Sequence, residues 1–322
     1  MCLIRIWYNK YMEEPALSID LKKDLELYLK DKFQEDNLNK LGVNASQDEL
    51  NSVQSESAEN LIELYSKLRN RLLIGRKRKV IIHNSLLRNE KYQQYRSSIT
   101  KLKNIFENGS SIRPYLSNKV NKIYFDDRLL LDWNIYHLHF IPNNSKQQRT
   151  NDILFITESD DIIHFLSIMT HEDFYNIDLL KYIYDNAPSI LEHYKLVGIQ
   201  PLPQNYSSET IKNLRSNNVG YCVSFENNVY APSLNKRSIT YLQEAKLRLF
   251  VVLKEVEKFI IEQREYIFSQ LPQTTNALNL EWIIEKENYK LQLYDRTTNA
   301  MCLFDCLNAP NPIKILEELN IL

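Results

Sequence analysis

The sequence predicts an α+β fold: a central antiparallel sheet with a helix packed on it, flanked by an N-terminal helical region and by a C-terminal long helix plus β-meander. Three observations predict it. Apolar residues recur at helical spacing in 18–33, 86–106 and 238–268. Short β-branched runs cluster at 78–84, 134–141, 152–158 and 161–169. Three further strand-like segments, 281–287, 290–296 and 300–305, follow closely enough to form a meander.

The 322 residues suffice for about two domains, and the pattern divides them into three stretches, 1–75, 76–200 and 201–322. In the first, Leu21, Leu25, Leu27, Tyr28 and Leu29 lie at helix-compatible spacing behind Ser18, which suits an N-cap. Leu3, Ile4, Ile6 and Trp7 fit a strand or a helix. The polar segment 44–60 reads as a loop or a frayed helix start, and a helical pattern resumes over 61–73.

In the second stretch the run RKVIIHN (78–84) reads as a strand. Leu87, Tyr92, Tyr95, Ile99, Leu102, Ile105 and Phe106 then mark an amphipathic helix, closed by Asn108-Gly109. Strands at 134–141, 152–158 and 161–169 follow, the last two joined by a tight Ser159-Asp160 turn. A helix over 175–188 stops at Pro188. The third stretch opens with a proline-bearing linker, 200–210, and a short strand, 220–225. On the long helix, Leu242, Leu249, Val252, Val256, Phe259 and Ile260 form a near-heptad stripe that suits intramolecular packing or a homodimer through 238–268.

Composition excludes several functions. Hydrophobic residues make up 43% and charged residues 25%, and no apolar run is long enough for a membrane span. The opening MCLIRIWYNKY is too short and polar for a secretory signal, and four cysteines make no disulfide framework, so a cytoplasmic setting is expected. The five glycines stand too far apart for GxxxxGK[ST], GxGxxG or GxSxG. P-loop hydrolysis, Rossmann redox chemistry and a nucleophile elbow are therefore not expected.

Charge is uneven. The net charge is −1, yet 76–119 holds eleven basic residues against Glu90 and Glu107, a local net of +9. Arg76, Lys77, Arg78, Lys79, Arg88 and Arg96 are the candidate RNA contacts, with Tyr92 and Tyr95 among them for base stacking. A solvated helix face or an acidic protein partner would explain the same run.

On the strand 134–141, Ile135, His137 and His139 share one face, and Tyr136, Leu138 and Phe140 the other. If the apolar side meets the helix, the two histidines stand on an open face. Arg149 precedes the next strand and His171 ends the one after it. Histidine, arginine and tyrosine together are equipped for metal-free RNA cleavage: imidazoles transfer protons near neutral pH and a fixed cation stabilises the charged phosphorane. HxH plus His171 would equally supply three zinc ligands, although no acidic or cysteine ligand is suitably spaced. Inert, hydrogen-bonded histidines are the plain alternative.

The order of elements, with HLHF (137–140), RTNDILFI (149–156) and DIIHFLSIMTHEDFY (161–175), resembles the RelE/HigB-type toxins over about 100 residues. The resemblance implies metal-independent mRNA cleavage, in many cases on the ribosome, and an antitoxin or defence-complex partner, with no cofactor and no membrane. It carries over Arg149 and His171, with Tyr136, His137 and His139 as further site candidates. The chain is longer than the family's usual members, its connection over 107–133 is long, and its sheet holds few basic residues.

Other constellations are weaker. RKVIIH (78–83) has the Arg-x4-His spacing of HEPN ribonucleases, but Val80, Ile81 and Ile82 favour a strand over the helix that family needs. Asp126, Asp127 and Asp132 suit caps and surface charge better than an ion. Cys302 and Cys306 lack a second pair, and Met169 reads as core. The expectation is a metal-independent ribonuclease of the toxin or phage-defence kind. The alternative is a non-catalytic RNA- or protein-binding subunit of a defence or toxin–antitoxin complex.

Overall fold

A computed structural model describes residues 16–159, 161–217, 219–232, 239–269, 277–284, 291–295, 300–304 and 312–322. Leu3, Ile4, Ile6, Trp7, Asp160, Ser238 and Cys306 lie outside them. The chain starts with β1 (Ala16–Ile19), α1 (Leu21–Lys32), α2 (Glu35–Lys40), α3 (Gln47–Gln54) and α4 (Ala58–Arg71). Next come β2 (Lys79–Ile82), α5 (Asn84–Leu87), α6 (Tyr92–Asn108), α7 (Arg128–Trp133), β3 (Ile135–His139), β4 (Asp152–Ser159) and β5 (Ile162–Thr170). Then follow α8 (Asp178–Asn186), β6 (Lys195–Leu196), α9 (Ser208–Ser216), β7 (Val223–Phe225) and β8 (Asn228–Tyr230). The chain closes with α10 (Ile239–Glu262), α11 (Arg264–Ser269), β9 (Ala277–Ile283), β10 (Leu291–Asp295), β11 (Ala300–Phe304) and α12 (Pro312–Glu318). None of the described helices is long and apolar enough to cross a membrane.

The residues group into two compact units: the described parts of 1–33, 54–62 and 245–322 form one, and 34–53 with 63–244 the other. This differs from a linear division into three stretches, because the N-terminal segment joins the C-terminal meander. The reason is strand pairing: β1 adds in parallel to β9, giving the order β1-β9-β10-β11. Ser18 therefore lies in a strand, and Asp20 caps α1 instead, its carboxylate accepting from the Lys23 amide at 2.9 Å. Leu21, Leu25 and Leu29 are fully buried while Leu27 is exposed.

The second unit holds the central sheet, ordered β2-β5-β4-β3. It is mixed rather than antiparallel, since β2 runs parallel to β5 and only β3-β4-β5 form the expected antiparallel part. A parallel pair needs a crossover, and the long stretch from α5 through α7 supplies it. One face packs on α6: Tyr136, Leu138, Leu154, Ile156, Ile163 and Phe165 meet Tyr95, Ile99, Leu102 and Phe106. The predicted single helix over 86–106 is broken between α5 and α6. Asn89 there receives the Lys91 amide and donates to the Ile168 carbonyl, tying the break to β5. α6 ends at Gly109 with φ of 73°, where a Cβ would meet the Lys77 backbone nitrogen at 2.8 Å.

The other face is covered too. Ile135, Ile153, Phe155 and Leu166 pack with Trp133, with Leu179 and Ile183 of α8, and with Val223, Phe225 and Tyr230 of a small sheet ordered β6-β8-β7. The segment 200–210 is no linker between units, because Asn205 exchanges hydrogen bonds with both the amide and the carbonyl of Ser224. On α10, Leu242, Leu249, Val256 and Ile260 are buried within the chain.

Candidate functional site

Pleat and strand order assemble the site. His137 lies opposite Phe155 and His139 opposite Ile153, which in turn faces Met169 of β5. One residue beyond β5 the chain enters the turn His171–Tyr175. Thr170 closes that turn as a capping box: its amide and hydroxyl each donate to the Asp173 carboxylate at 2.9 Å. His171 is thereby held across β4 from His139. Ring centroids stand 5.2 Å apart for His139 and His171, 6.1 Å for His137 and His171, and 6.2 Å for His137 and His139. One ring nitrogen from each of the three lies within 4.8 Å of the others.

The surroundings sort these groups by role. Phe174 walls the cluster, 4.8 Å from His137 and 5.5 Å from His171 between centroids. Arg149 is anchored by its Nη2, which donates to the Pro114 and Leu116 carbonyls at 2.9 and 3.0 Å. His171 Nδ1 meets Asn151 Oδ1 at 3.3 Å. His137 Nδ1 lies 3.7 Å from Asp127 Oδ2, beyond hydrogen-bond reach. His137 Nδ1, His139 Nδ1 and Arg149 Nε are buried without a hydrogen-bond partner. Such orphaned groups each cost about 1–3 kcal/mol, which a partner brought to the cluster would recover.

The face bearing His137 and His139 is not the open surface expected. Both are only 7% exposed, and the cluster reaches solvent through the exposed His171. Burial, aided by the positive fields of His171, Arg149 and Lys119, pushes His137 down to about 3. Burial and the neighbouring Arg149 push His139 to about 3 as well. Both rings are thus neutral at physiological pH. Burial raises Asp127 to about 6 against the pull of Arg71 and Arg215.

The chain matches no protein-family model, no curated protein and no solved structure.

Three of the five candidate catalytic residues converge, His137, His139 and His171, and the charge of Arg149 acts on the first two. Tyr136 does not. It points to the α6 face, is 3% exposed, and its hydroxyl donates to the Asn70 carbonyl at 2.9 Å.

The basic run is dispersed. Arg78 is buried and structural, donating to Glu158 at 2.8 Å and to the Ile74 carbonyl at 2.9 Å. Arg76 bridges Glu158 and Asp161, each at 3.1 Å. Lys77, Lys79, Arg88 and Arg96 are exposed. However, Lys79 pairs with Ile162 at the start of β5, whereas His171 follows its end. At about 3.3 Å per residue a nine-residue strand separates them by roughly 30 Å. Arg96 sits on α6, which covers the opposite face. Lys79 and Arg96 therefore lie away from the histidine cluster, whereas Arg88 precedes Asn89, which is tied to Ile168 near the His171 end of β5.

Sequence reasoning missed Asp127, Asn151 and Phe174. The Thr170-x-x-Asp173 spacing was a readable sign that His171 opens a fixed turn, whereas the contacts of Asn151 with His171 and of Phe174 with His137 join residues twenty or more apart. Asp127 does cap α7, accepting from the Leu130 amide at 3.2 Å, while Asp126 and Asp132 pair with Lys67 and Arg215. Arg78 and His83 lie just before and just after a strand, as the β-branched run predicts. His83 Nε2 meets His164 Nδ1 at 2.9 Å, and His164 Nε2 meets Ser159 Oγ at 3.0 Å. These form a second polar chain at the β2 side of the same sheet. Cys302 contributes only its backbone to β11, and its side chain is outside the described residues.

Proposed function

We propose that this chain is a metal-independent ribonuclease whose working groups are His137, His139, His171 and Arg149. The observation that carries the reading is the set of orphaned buried nitrogens on His137, His139 and Arg149 beside an exposed imidazole. Arg149 Nε–H can only donate, so it calls for an acceptor oxygen; a phosphate supplies several. Burial first, and then the neighbouring positive charges, hold His137 and His139 neutral; an anionic ligand offsets the second of these and raises their proton affinity where cleavage needs it.

In this mechanism His139 accepts the ribose 2′-hydroxyl proton as the 2′-oxygen bonds to phosphorus. Arg149 stabilises the charge on the phosphorane oxygens. The bond from phosphorus to the 5′-oxygen then breaks, and the leaving oxygen takes a proton from His171, which exchanges freely with solvent. The products are a 2′,3′-cyclic phosphate and a 5′-hydroxyl. His137, the more enclosed ring against Phe174, positions its neighbours. Likeness in element order to RelE/HigB-type toxins favours RNA, including ribosome-bound mRNA, and an antitoxin or defence-complex protein as partners.

Purified chain should cleave RNA in excess EDTA and leave 2′,3′-cyclic ends. RNA that survives intact, or that is bound without cleavage, would favour instead the non-catalytic binding subunit.

A further inference from the structure

We infer that His137, His139 and His171 also capture a zinc-type divalent ion, and that the captured ion shuts the site to RNA. The shut-off half rests on the ribonuclease reading; the capture half does not.

Three imidazoles present one nitrogen each within 4.8 Å. Zinc bonds imidazole at about 2.0–2.1 Å, which puts the nitrogens of a tetrahedral set about 3.3 Å apart. Closing that difference takes a modest rotation of the exposed His171, whose backbone is fixed by the Thr170–Asp173 capping box. Oxygen atoms stand behind two of the rings. Asp127 Oδ2 is 3.7 Å from His137 Nδ1, and Asn151 Oδ1 is 3.3 Å from His171 Nδ1. Asn151 is already placed to accept the Nδ1 proton of His171, and a small inward shift would let Asp127 do the same for His137, fixing the tautomer that leaves Nε2 as the lone-pair donor.

The ligand chemistry selects the ion. An all-imidazole set without carboxylate or thiolate suits zinc, copper, nickel or cobalt, and is poor for magnesium or calcium. Arg149, whose charge reaches His137 and His139, opposes a bound cation and weakens it relative to a permanent structural zinc. Once bound, the ion occupies the imidazole lone pairs that the cleavage step needs as proton acceptors. It thereby acts as a reversible inhibitor.

The test titrates the EDTA-stripped and dialysed full chain with Zn²⁺ against a chromophoric chelator, and with Co²⁺ read by visible absorption. One ion per chain is expected, weakened by about tenfold or more in His171→Ala and in His139→Ala, with Mg²⁺ giving no response. Folding of each variant is checked by circular dichroism; His171, being exposed, is the safer substitution. RNA cleavage should fall as zinc fills the site and return with EDTA. Absence of binding below about 100 μM, or binding indifferent to both substitutions, overturns the capture. Cleavage that rises with zinc and vanishes in EDTA overturns the shut-off and the metal-independent mechanism together, and leaves the capture standing. Capture without cleavage at any zinc level overturns the ribonuclease reading and the shut-off that rests on it, and leaves the capture standing.

Discussion

Replacing Arg149 or His139 by alanine is expected to lower RNA cleavage by about 10²–10⁴-fold, each through a different loss. Without Arg149 the phosphorane loses the guanidinium whose field reaches both buried histidines. Lys119 acts on His137 through its field but is not anchored at the cluster as Arg149 is by two carbonyls. Without His139 the proton acceptor is gone while Arg149 and His171 stay in place. His171→Ala should lose the leaving-group proton donor and cost a similar factor, partly recovered by a leaving group that needs no proton. Tyr136→Phe should leave cleavage unchanged, since its hydroxyl serves the Asn70 carbonyl on the opposite face. Single-turnover rates on one RNA in EDTA, with urea midpoints for each variant, separate these effects from unfolding. Cleavage by Arg149→Ala at the wild-type rate would remove the cation from the mechanism.

Acid should destabilise the second unit strongly. His137 and His139 are held at about 3 and His164 at about 4, all mainly by burial, against an ordinary value of 6.5. A histidine whose folded value is depressed takes up its proton first in the unfolded chain. Its contribution is therefore intact above 6.5 and is lost as pH falls toward the folded value. Between pH 7 and 5 each of the three rings should withdraw about 2 kcal/mol. Asp127, raised to about 6, works in the other direction: its destabilising effect fades as pH falls, offsetting about 1 kcal/mol. The net loss of roughly 4–5 kcal/mol is a large part of the total for an ordinary domain. Urea midpoints should drop steeply from pH 7 to 5, and His164→Asn should flatten the drop where it leaves the fold intact. A midpoint level across that range would mean that the rings are solvated.

Much of the second unit was legible because periodicity fixes it locally. The alternation through Ile135, His137 and His139 set the faces of β3, and Gly109 marked the end of α6. What was not legible depended on partners distant in sequence. The direction of β2 follows from which edge of β5 it joins, and no residue within 78–84 encodes that. Ser18 looked like a cap until β9, some 260 residues later, took its segment as a strand. At the site, His137, His139, Arg149 and His171 followed from strand alternation and order. Their burial did not, because α8 and the small sheet that cover that face lie beyond the strands themselves. The basic run misled for a related reason: charge counts along the chain do not say that Arg78 will be buried against Glu158.

Imidazole nitrogen shifts of the full chain, measured by NMR at pH 6 with and without a 3′-nucleotide, observe the pocket itself. In the free chain His137 and His139 should give neutral-ring shifts, where an ordinary histidine is mostly protonated. Nucleotide should move the His139 and His171 resonances, and should fail to do so in Arg149→Ala. Protonated rings in the free chain, or resonances indifferent to nucleotide at millimolar concentration, would contradict an enclosed anion pocket built from these four side chains.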